Sequence, residues 1–225
     1  MSFFQDPQTQ AAIIVVAIML LIAFPVHEFS HALAAFRLGD ATAKMFGRLT
    51  LNPIVHFDPV GGVLLAISFI GSGGSFGFGW AKPTPVNPMN LEGGRRGDAI
   101  VAAAGPVSNL VLAIGGAIPA RYFLANENLR TDAPLVGLIL QQFVLINIVL
   151  MVFNLIPIPP LDGSKVLFAL VDRRTEYQIR PFLEQYGGIL LILLIFSSFI
   201  LPGQSILGRI LGPIVDGIYG VLVGT

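Results

Sequence analysis

Charged residues and cysteine are what this sequence has least of. Only 12% of its 225 residues are charged, whereas a soluble domain carries about a quarter. With a mean hydropathy of +0.79, the shortage of charge predicts a chain embedded in lipid. The absence of cysteine excludes disulfides and thiolate metal sites. A metal would therefore need His, Asp or Glu ligands, and the chain has three histidines.

The charges that are present cancel, and they form no basic block. Thirteen Lys and Arg balance thirteen Asp and Glu, so the sequence predicts no nucleic-acid partner. The first ten residues contain neither Lys nor Arg, unlike the start of a secretory signal, and we expect the first apolar segment to be retained. No repeat or linker divides the chain, which predicts one membrane-embedded domain over residues 1–225.

Four apolar stretches are long enough to cross a bilayer, which takes about 20 helical residues. They are 11–36, 99–120, 133–161 and 185–208. The tail after Arg209 is short and contains Asp216, so it is either an interfacial helix or the end of a last span. The sequence therefore predicts an all-α polytopic membrane protein with about four transmembrane helices.

Basic residues give the predicted orientation. Segments 37–98 and 162–184 hold ten of the thirteen Lys and Arg, and such residues concentrate in cytoplasmic loops. Four crossings of a cell membrane with an external N-terminus place both segments inside. A further crossing at the glycine-rich segment 60–79 would move Lys82, Arg95 and Arg96 outside. That segment is therefore predicted to be re-entrant and β-hairpin-like, which requires burial in protein or a cavity.

The motif that carries chemistry is His27-Glu-Phe-Ser-His31, which follows sixteen residues without a polar side chain. On a helix, histidines four residues apart point from one face at a single ion, with Glu28 beside it. This is the arrangement of zinc metalloproteases, in which two imidazoles bind the metal and the glutamate is the general base. The alternative, an ion transporter, typically has polar residues through the depth of several spans.

A catalytic zinc ion needs a third protein ligand and one open position. Asp162 follows the run Pro157-Ile-Pro-Pro160, where regular helix is excluded, at an end of the third span that parity places on the side of the histidines. His56, in a loop bounded by Pro53 and Pro59, is the other candidate. The residues alone leave these two open.

Four groups of residues together resemble the site-2 protease family of intramembrane metalloproteases. They are His27-Glu-Phe-Ser-His31; Gly47-Arg-Leu-Thr-Leu-Asn-Pro53 with Asp58-Pro59; Gly79-Trp-Ala-Lys-Pro83 with Val86-Asn-Pro88; and Ala104-Gly-Pro-Val-Ser-Asn109 with Asn154 to Gly163. The resemblance implies that Asp162 is the third ligand of one zinc ion and that Asn154 lies near the substrate or the metal.

The same resemblance implies the substrates. They are transmembrane proteins with a single span, often regulators that another protease has already cut, and hydrolysis takes place within or near that span. The distribution of Lys and Arg predicts that the active site lies toward the cytoplasm. No inserted PDZ domain or terminal CBS module is recognisable, so we expect a near-minimal peptidase core. The sequence indicates neither the oligomeric state nor a role for His56.

Overall fold

The computed structural model describes residues 7–71, 77–197 and 206–224. Within these ranges the chain is helical and contains no β-strand. The α-helices are α1 (Pro7–Ile18), α2 (Phe24–Arg37), α3 (Thr42–Met45), α4 (Pro53–His56), α5 (Pro59–Gly71), α6 (Arg95–Ala125), α7 (Glu127–Asp132), α8 (Pro134–Asn154), α9 (Asp162–Leu170), α10 (Arg173–Ile195) and α11 (Ile206–Val223). A π-helical turn, Met19–Ala23, joins α1 to α2, and a 3-10 turn, Pro88–Asn90, precedes α6.

Four helical stretches in the described part of the chain are long and apolar enough to cross a membrane. They are Ile13–Arg37, Arg95–Ala125, Pro134–Asn154 and Ile206–Val223. This confirms the predicted class, an all-α chain with about four helices able to span a bilayer. The fourth stretch is α11, so the tail that the sequence left undecided between an interfacial helix and a span has the length and composition of a span.

The predicted span 185–208 corresponds only in part to a described helix. Helix α10 begins at Arg173 in a charged segment and ends at Ile195, and residues 198–205 lie outside the described ranges. The apolar portion of α10 that is described is therefore shorter than a span.

Segment 60–79, predicted to be re-entrant and hairpin-like, begins as a helix. Helix α5 has 13 residues and is about 20 Å long, which is less than a crossing requires. Residues 72–76 lie outside the described part, and the chain from 77 to 87 has no regular secondary structure. A return of this segment to the side from which it entered stays a prediction.

Helix α6 is at the centre of the molecule, where it packs against α2, α8, α9 and α11. Its face toward α8 consists of small residues, and Ala113, Ala117 and Ala120 are almost fully buried there. A Cβ at Gly116 would lie 2.6 Å from Cδ1 of Phe143. Small side chains let helix backbones approach closely within a membrane, so α6 can touch several neighbours at once.

The chain between α5 and α6 crosses over α2, and we call residues 77–92 the strap. Its Lys82 N–H donates to the carbonyl of His56 at 2.8 Å, and its Glu92 N–H donates to the carbonyl of Leu38 at 2.8 Å. The strap is thereby fixed to the loop around α4 and to the C-terminal end of α2.

Candidate metal centre

Two histidines face the interior from one side of α2. Pro25 has no N–H to donate to the preceding turn. The π-helical turn Met19–Ala23 ends two residues before it, and the N–H of Phe24 is bonded to Met19 O. Regular helix resumes and carries His27 and His31. Both side chains are buried, and their ring centroids are 4.6 Å apart.

Asp162 lies beside the two histidines, although it is 135 residues from His27 in the sequence. It begins α9, where the helix N-terminus favours a carboxylate. The next residue is Gly163, whose added Cβ would lie 2.2 Å from the carbonyl oxygen of Leu155. Only glycine permits this close return of the chain onto the end of α8, and the return brings Asp162 back against α2.

The three side chains converge on one point. Oδ2 of Asp162 is 3.2 Å from Nε2 of His27 and 3.2 Å from Nε2 of His31. Ligands bound at about 2.0–2.1 Å to a tetrahedral zinc ion are ~3.3 Å from one another, so the group fits one ion and leaves a fourth position open. Among the described residues this is the group of His, Asp and Glu side chains that could hold a metal.

Space for an ion is left by Gly105 of α6. A Cβ on this residue would lie 2.4 Å from Nε2 of His31 and 2.5 Å from Nε2 of His27. Any side chain here would therefore push against the atoms that face the carboxylate. The chemistry of the donors and the absence of a side chain at Gly105 both suit a bound metal.

Hydrogen bonds to the other ring nitrogens fix how the imidazoles are turned. Nδ1 of His31 donates to the carbonyl oxygen of Val101 at 2.7 Å. Nδ1 of His27 is 2.6 Å from Oδ1 of Asn109. A carbonyl oxygen only accepts, so each imidazole carries its proton on Nδ1 and offers Nε2 to a metal. Zinc-bound histidines are commonly held in this way by an acceptor at the other ring nitrogen.

Glu28, next to the first histidine, is bonded to the strap. Its Oε2 accepts a hydrogen bond from the N–H of Thr84 at 2.7 Å. The hydroxyl of Thr84 also donates to the main-chain oxygen of Glu28 at 3.0 Å. Thr84 stands between Pro83 and Pro85, which restrict the backbone around it. One carboxylate oxygen of Glu28 is thus held in place.

Comparison with known families bears on the same residues. The sequence model described as "Peptidase family M50" matches residues 15–129 and 132–196, which include His27, Glu28, His31 and Asp162. The chain belongs to peptidase family M50. The resemblance to site-2 proteases read from the four motifs is therefore confirmed.

Several relatives of the chain are described as zinc metalloproteases. The chain is 38% identical over 179 residues to "Putative zinc metalloprotease YwhC" of Bacillus subtilis, covering 79% of this chain and 78% of that protein. It is 31% identical over 180 residues to Rip2 of Mycolicibacterium smegmatis, which bears the same description, covering 79% of this chain and 64% of that protein. For Rip2 of Mycobacterium tuberculosis the identity is 30% over 196 residues, with 85% and 71% covered. No solved structure matches the chain.

The predicted cofactor, one zinc ion, is confirmed by these relatives together with the group of His27, His31 and Asp162. Burial raises the pKa of the Asp162 carboxyl, but its contacts with both imidazoles outweigh burial and hold that pKa well below the usual value. A lowered pKa favours the charged form of this carboxyl group.

The other two candidates each bond to a nearby main-chain carbonyl. His56 is buried, and its Nε2 donates to the carbonyl oxygen of Thr50 at 2.7 Å; it is not a member of the candidate metal group. Asn154 is half-buried at the end of α8, where its Nδ2 donates to the carbonyl oxygen of Leu150 at 2.9 Å.

Sequence reasoning did not identify Thr84, Gly105, Asn109 and Asn147 as parts of the site. Asn109 and Gly105 stood in a motif quoted for the family resemblance, without a role. A signal for both asparagines was present, because a polar amide inside an apolar span needs a hydrogen-bond partner. Thr84 and Gly105 carry no comparable signal, since their roles depend on which parts of the backbone come close together in the fold.

Proposed function

We propose that this chain is an intramembrane zinc metalloprotease that hydrolyses peptide bonds within or near transmembrane segments of membrane proteins. The observation that supports this most directly is the position of His27 and His31 inside Ile13–Arg37, a helix with the properties of a span. His27 comes 14 residues after Ile13, which is about 21 Å along a helix and within a hydrocarbon core about 30 Å thick. Peptide hydrolysis at that depth requires a substrate that lies in the membrane.

The proposed roles follow from the contacts of the chain. His27, His31 and Asp162 hold zinc, and the metal when bound supplies a Lewis acid that acidifies water and polarises the scissile carbonyl. Glu28 takes the proton of the attacking water and passes it to the leaving amine nitrogen. Because the N–H of Thr84 occupies Oε2 of Glu28, we assign the proton transfer to Oε1.

Asn154 is the proposed substrate contact. Its Nδ2 is engaged by the carbonyl of Leu150, which directs Oδ1 away from the helix. In that position Oδ1 could accept a main-chain N–H from a substrate segment that has locally unwound. A substrate helix has to unwind before cleavage, because its carbonyls are otherwise held in intrahelical hydrogen bonds.

The proposed orientation has the N-terminus outside and the site toward the cytoplasm of a multi-pass cell-membrane protein. The contact of Asp162 with both histidines supports placing the start of α9 and the histidines of α2 on one side of the membrane. The ten Lys and Arg residues of segments 37–98 and 162–184 support the cytoplasm as that side. Two span-like helices, α6 and α8, separate α2 from α9 in the chain, and two crossings return the chain to the side from which it left. A crossing by α5 would break this parity.

The test compares wild type with Glu28→Gln, using Glu184→Gln as the matched control because Glu184 is an exposed carboxylate on α10 bonded to Arg180. Zinc content is measured first. Cleavage of a tagged single-span protein is then followed in detergent, with the cut position read by mass spectrometry, beside a tagged soluble protein.

We expect each protein to bind about one zinc ion. Wild type and Glu184→Gln should cut within or near the span, whereas Glu28→Gln should be slower by roughly 100- to 10,000-fold, the range for a general base. Wild-type cleavage restricted to the soluble protein would contradict the intramembrane assignment. Undiminished cleavage by Glu28→Gln would contradict the role of Glu28, and absence of zinc from wild type would contradict the site.

A further inference from the structure

A chain of side-chain amides leads from His27 into α8. Oδ1 of Asn109 is 2.6 Å from Nδ1 of His27, Nδ2 of Asn109 donates to Oδ1 of Asn147 at 3.0 Å, and Nδ2 of Asn147 donates to the carbonyl oxygen of Phe143 at 2.8 Å. Both asparagines have no exposed surface. Three helices, α2, α6 and α8, are thus connected through consecutive hydrogen bonds.

These hydrogen bonds all run in one direction, which is set by the carbonyl group of Phe143. The carbonyl of Phe143 can only accept, so the amide of Asn147 has to turn Nδ2 toward it and Oδ1 toward α6. The amide of Asn109 then has to turn Nδ2 toward Asn147 and Oδ1 toward His27. An oxygen facing Nδ1 of His27 requires a proton on Nδ1, which leaves the Nε2 lone pair for the metal.

Helix α8 contributes no side chain to the group of His27, His31 and Asp162. A pair of asparagines that served only to attach α8 to α6 would be satisfied by bonding to each other and to the helix backbone. Here Asn109 also bonds to a histidine of the metal group, on the side away from the other ligands. A reversed amide at Asn109 would place an N–H against the N–H of His27, and burial would leave both without an acceptor.

We propose that Asn147 is a positioning residue for the zinc site: it sets the orientation of the Asn109 amide and, through it, the tautomer of His27. The proposal rests on the zinc site of the proposed function but not on peptide hydrolysis. It can therefore be tested by metal affinity alone, and a failure to find peptidase activity would leave it standing.

The experiment measures the zinc dissociation constant of the purified protein in detergent by competition with a chelator. The variants are Asn147→Leu, Asn109→Leu and the double variant. Gln141→Leu is the matched control, because Gln141 is also an amide on α8 and donates from Nε2 to the carbonyl oxygen of Gly137 at 3.2 Å. Thermal unfolding of the metal-free proteins is recorded in parallel.

We expect Asn147→Leu to weaken zinc binding by about 10- to 100-fold, as loss of outer-shell partners does, and Gln141→Leu to leave it unchanged. Adding Asn147→Leu to Asn109→Leu should weaken binding little further, because the first residue acts through the second. Asn147→Asp should bind zinc more tightly than Asn147→Leu even where it unfolds at a lower temperature, since its oxygen still accepts from Asn109.

Two results would overturn the proposal. One is a zinc affinity of Asn147→Leu equal to that of wild type. The other is a loss in the double variant that equals the product of the two single losses, which would mean that the residues act independently. Asn147→Ala is the substitute if Asn147→Leu does not fold, and a wild-type affinity in that variant would reject the proposal equally.

Discussion

At the scale of single residues, Gly105 leaves space beside the two histidines. It is buried on α6 opposite the two histidines, and a methyl group in its place would lie within 2.5 Å of Nε2 of each. Pro106 follows it and cannot donate to the preceding turn, although α6 continues as a helix past the site. Glycine and proline are both unfavourable in the interior of a helix. The space that Gly105 leaves free is where the possible ligand atoms meet.

Gly105→Ala should therefore abolish zinc binding while the protein still folds. The added methyl group overlaps both Nε2 atoms, and the rings cannot turn away without losing their bonds to Asn109 and to the carbonyl of Val101. Zinc content after dialysis, measured by atomic emission, checks this.

Gly115→Ala is the control for that substitution, because Gly115 is on the same helix with nothing within 4 Å of an added Cβ. Alanine there should leave zinc content unchanged and stabilise the helix by up to about 1 kcal/mol. Normal zinc content in Gly105→Ala would show that the gap beside the histidines does not hold the metal.

At the scale of elements, the strap depends on one carboxylate. Asp40 is fully buried just after α2. Its Oδ2 accepts from the N–H of Asn87 at 2.7 Å, and its Oδ1 accepts from Nδ2 of Asn90 and from both the N–H and the hydroxyl of Thr42. These bonds fix the half of the strap that follows Thr84, and so help to hold Thr84 against Glu28.

Asp40→Asn should destabilise the protein by about 1–3 kcal/mol, since an amide N–H would face a donor in a buried position. Burial raises the pKa of Asp40, but hydrogen bonds from Thr42, Asn87 and Asn90 outweigh burial and lower it. A depressed native pKa stabilises the fold above the unfolded pKa of about 3.9, and the stabilisation is lost as pH falls through the native pKa.

The measurement is thermal unfolding in detergent at several pH values. The difference in unfolding temperature between wild type and Asp40→Asn should be full at pH 7 and shrink below about pH 4. Asp132→Asn, at an exposed position in α7, should match wild type throughout. A difference that stays constant down to pH 3 would mean that the charge of Asp40 contributes nothing.

Individual elements show how far the sequence could predict the structure. The spacing of His27 and His31 predicts a shared helix face, because that relation is local. The choice between Asp162 and His56 needed contacts across more than a hundred residues. The glycine content of segment 60–79 suggests irregular backbone, yet Gly61 lies within α5, where its added Cβ would be 2.2 Å from the carbonyl oxygen of Trp80. Glycine serves close approach here, and composition does not distinguish that use from a turn.

At the scale of the whole molecule, the site is built from several helices, which a hydropathy profile identifies only one at a time. The possible ligands come from α2 and α9, the partners that turn the imidazoles come from α6, and the residue proposed to orient Asn109 comes from α8. Such a site requires an even number of crossings between α2 and α9, and crossings by α6 and α8 without one by α5 meet that requirement. The proposed site therefore depends on the membrane arrangement, and a measurement of topology tests the proposed function without an activity assay.

Because the natural chain has no cysteine, single cysteines can report this arrangement without removing any others. Asn128→Cys, in exposed α7 between α6 and α8, should react with a membrane-impermeant maleimide on intact cells. Arg174→Cys, at the exposed start of α10, should react only after lysis, since it follows the site on the side to which two crossings return the chain. Labelling of both positions in intact cells would contradict a crossing by α8, which separates them.

Gly224→Cys then counts the crossings that follow α9. Four crossings in all place this exposed end of α11 outside, so we expect labelling on intact cells. Labelling only after lysis would mean that no crossing or two crossings follow α9, instead of one. The zinc site would be unaffected in that case, because every residue assigned to it comes before α10.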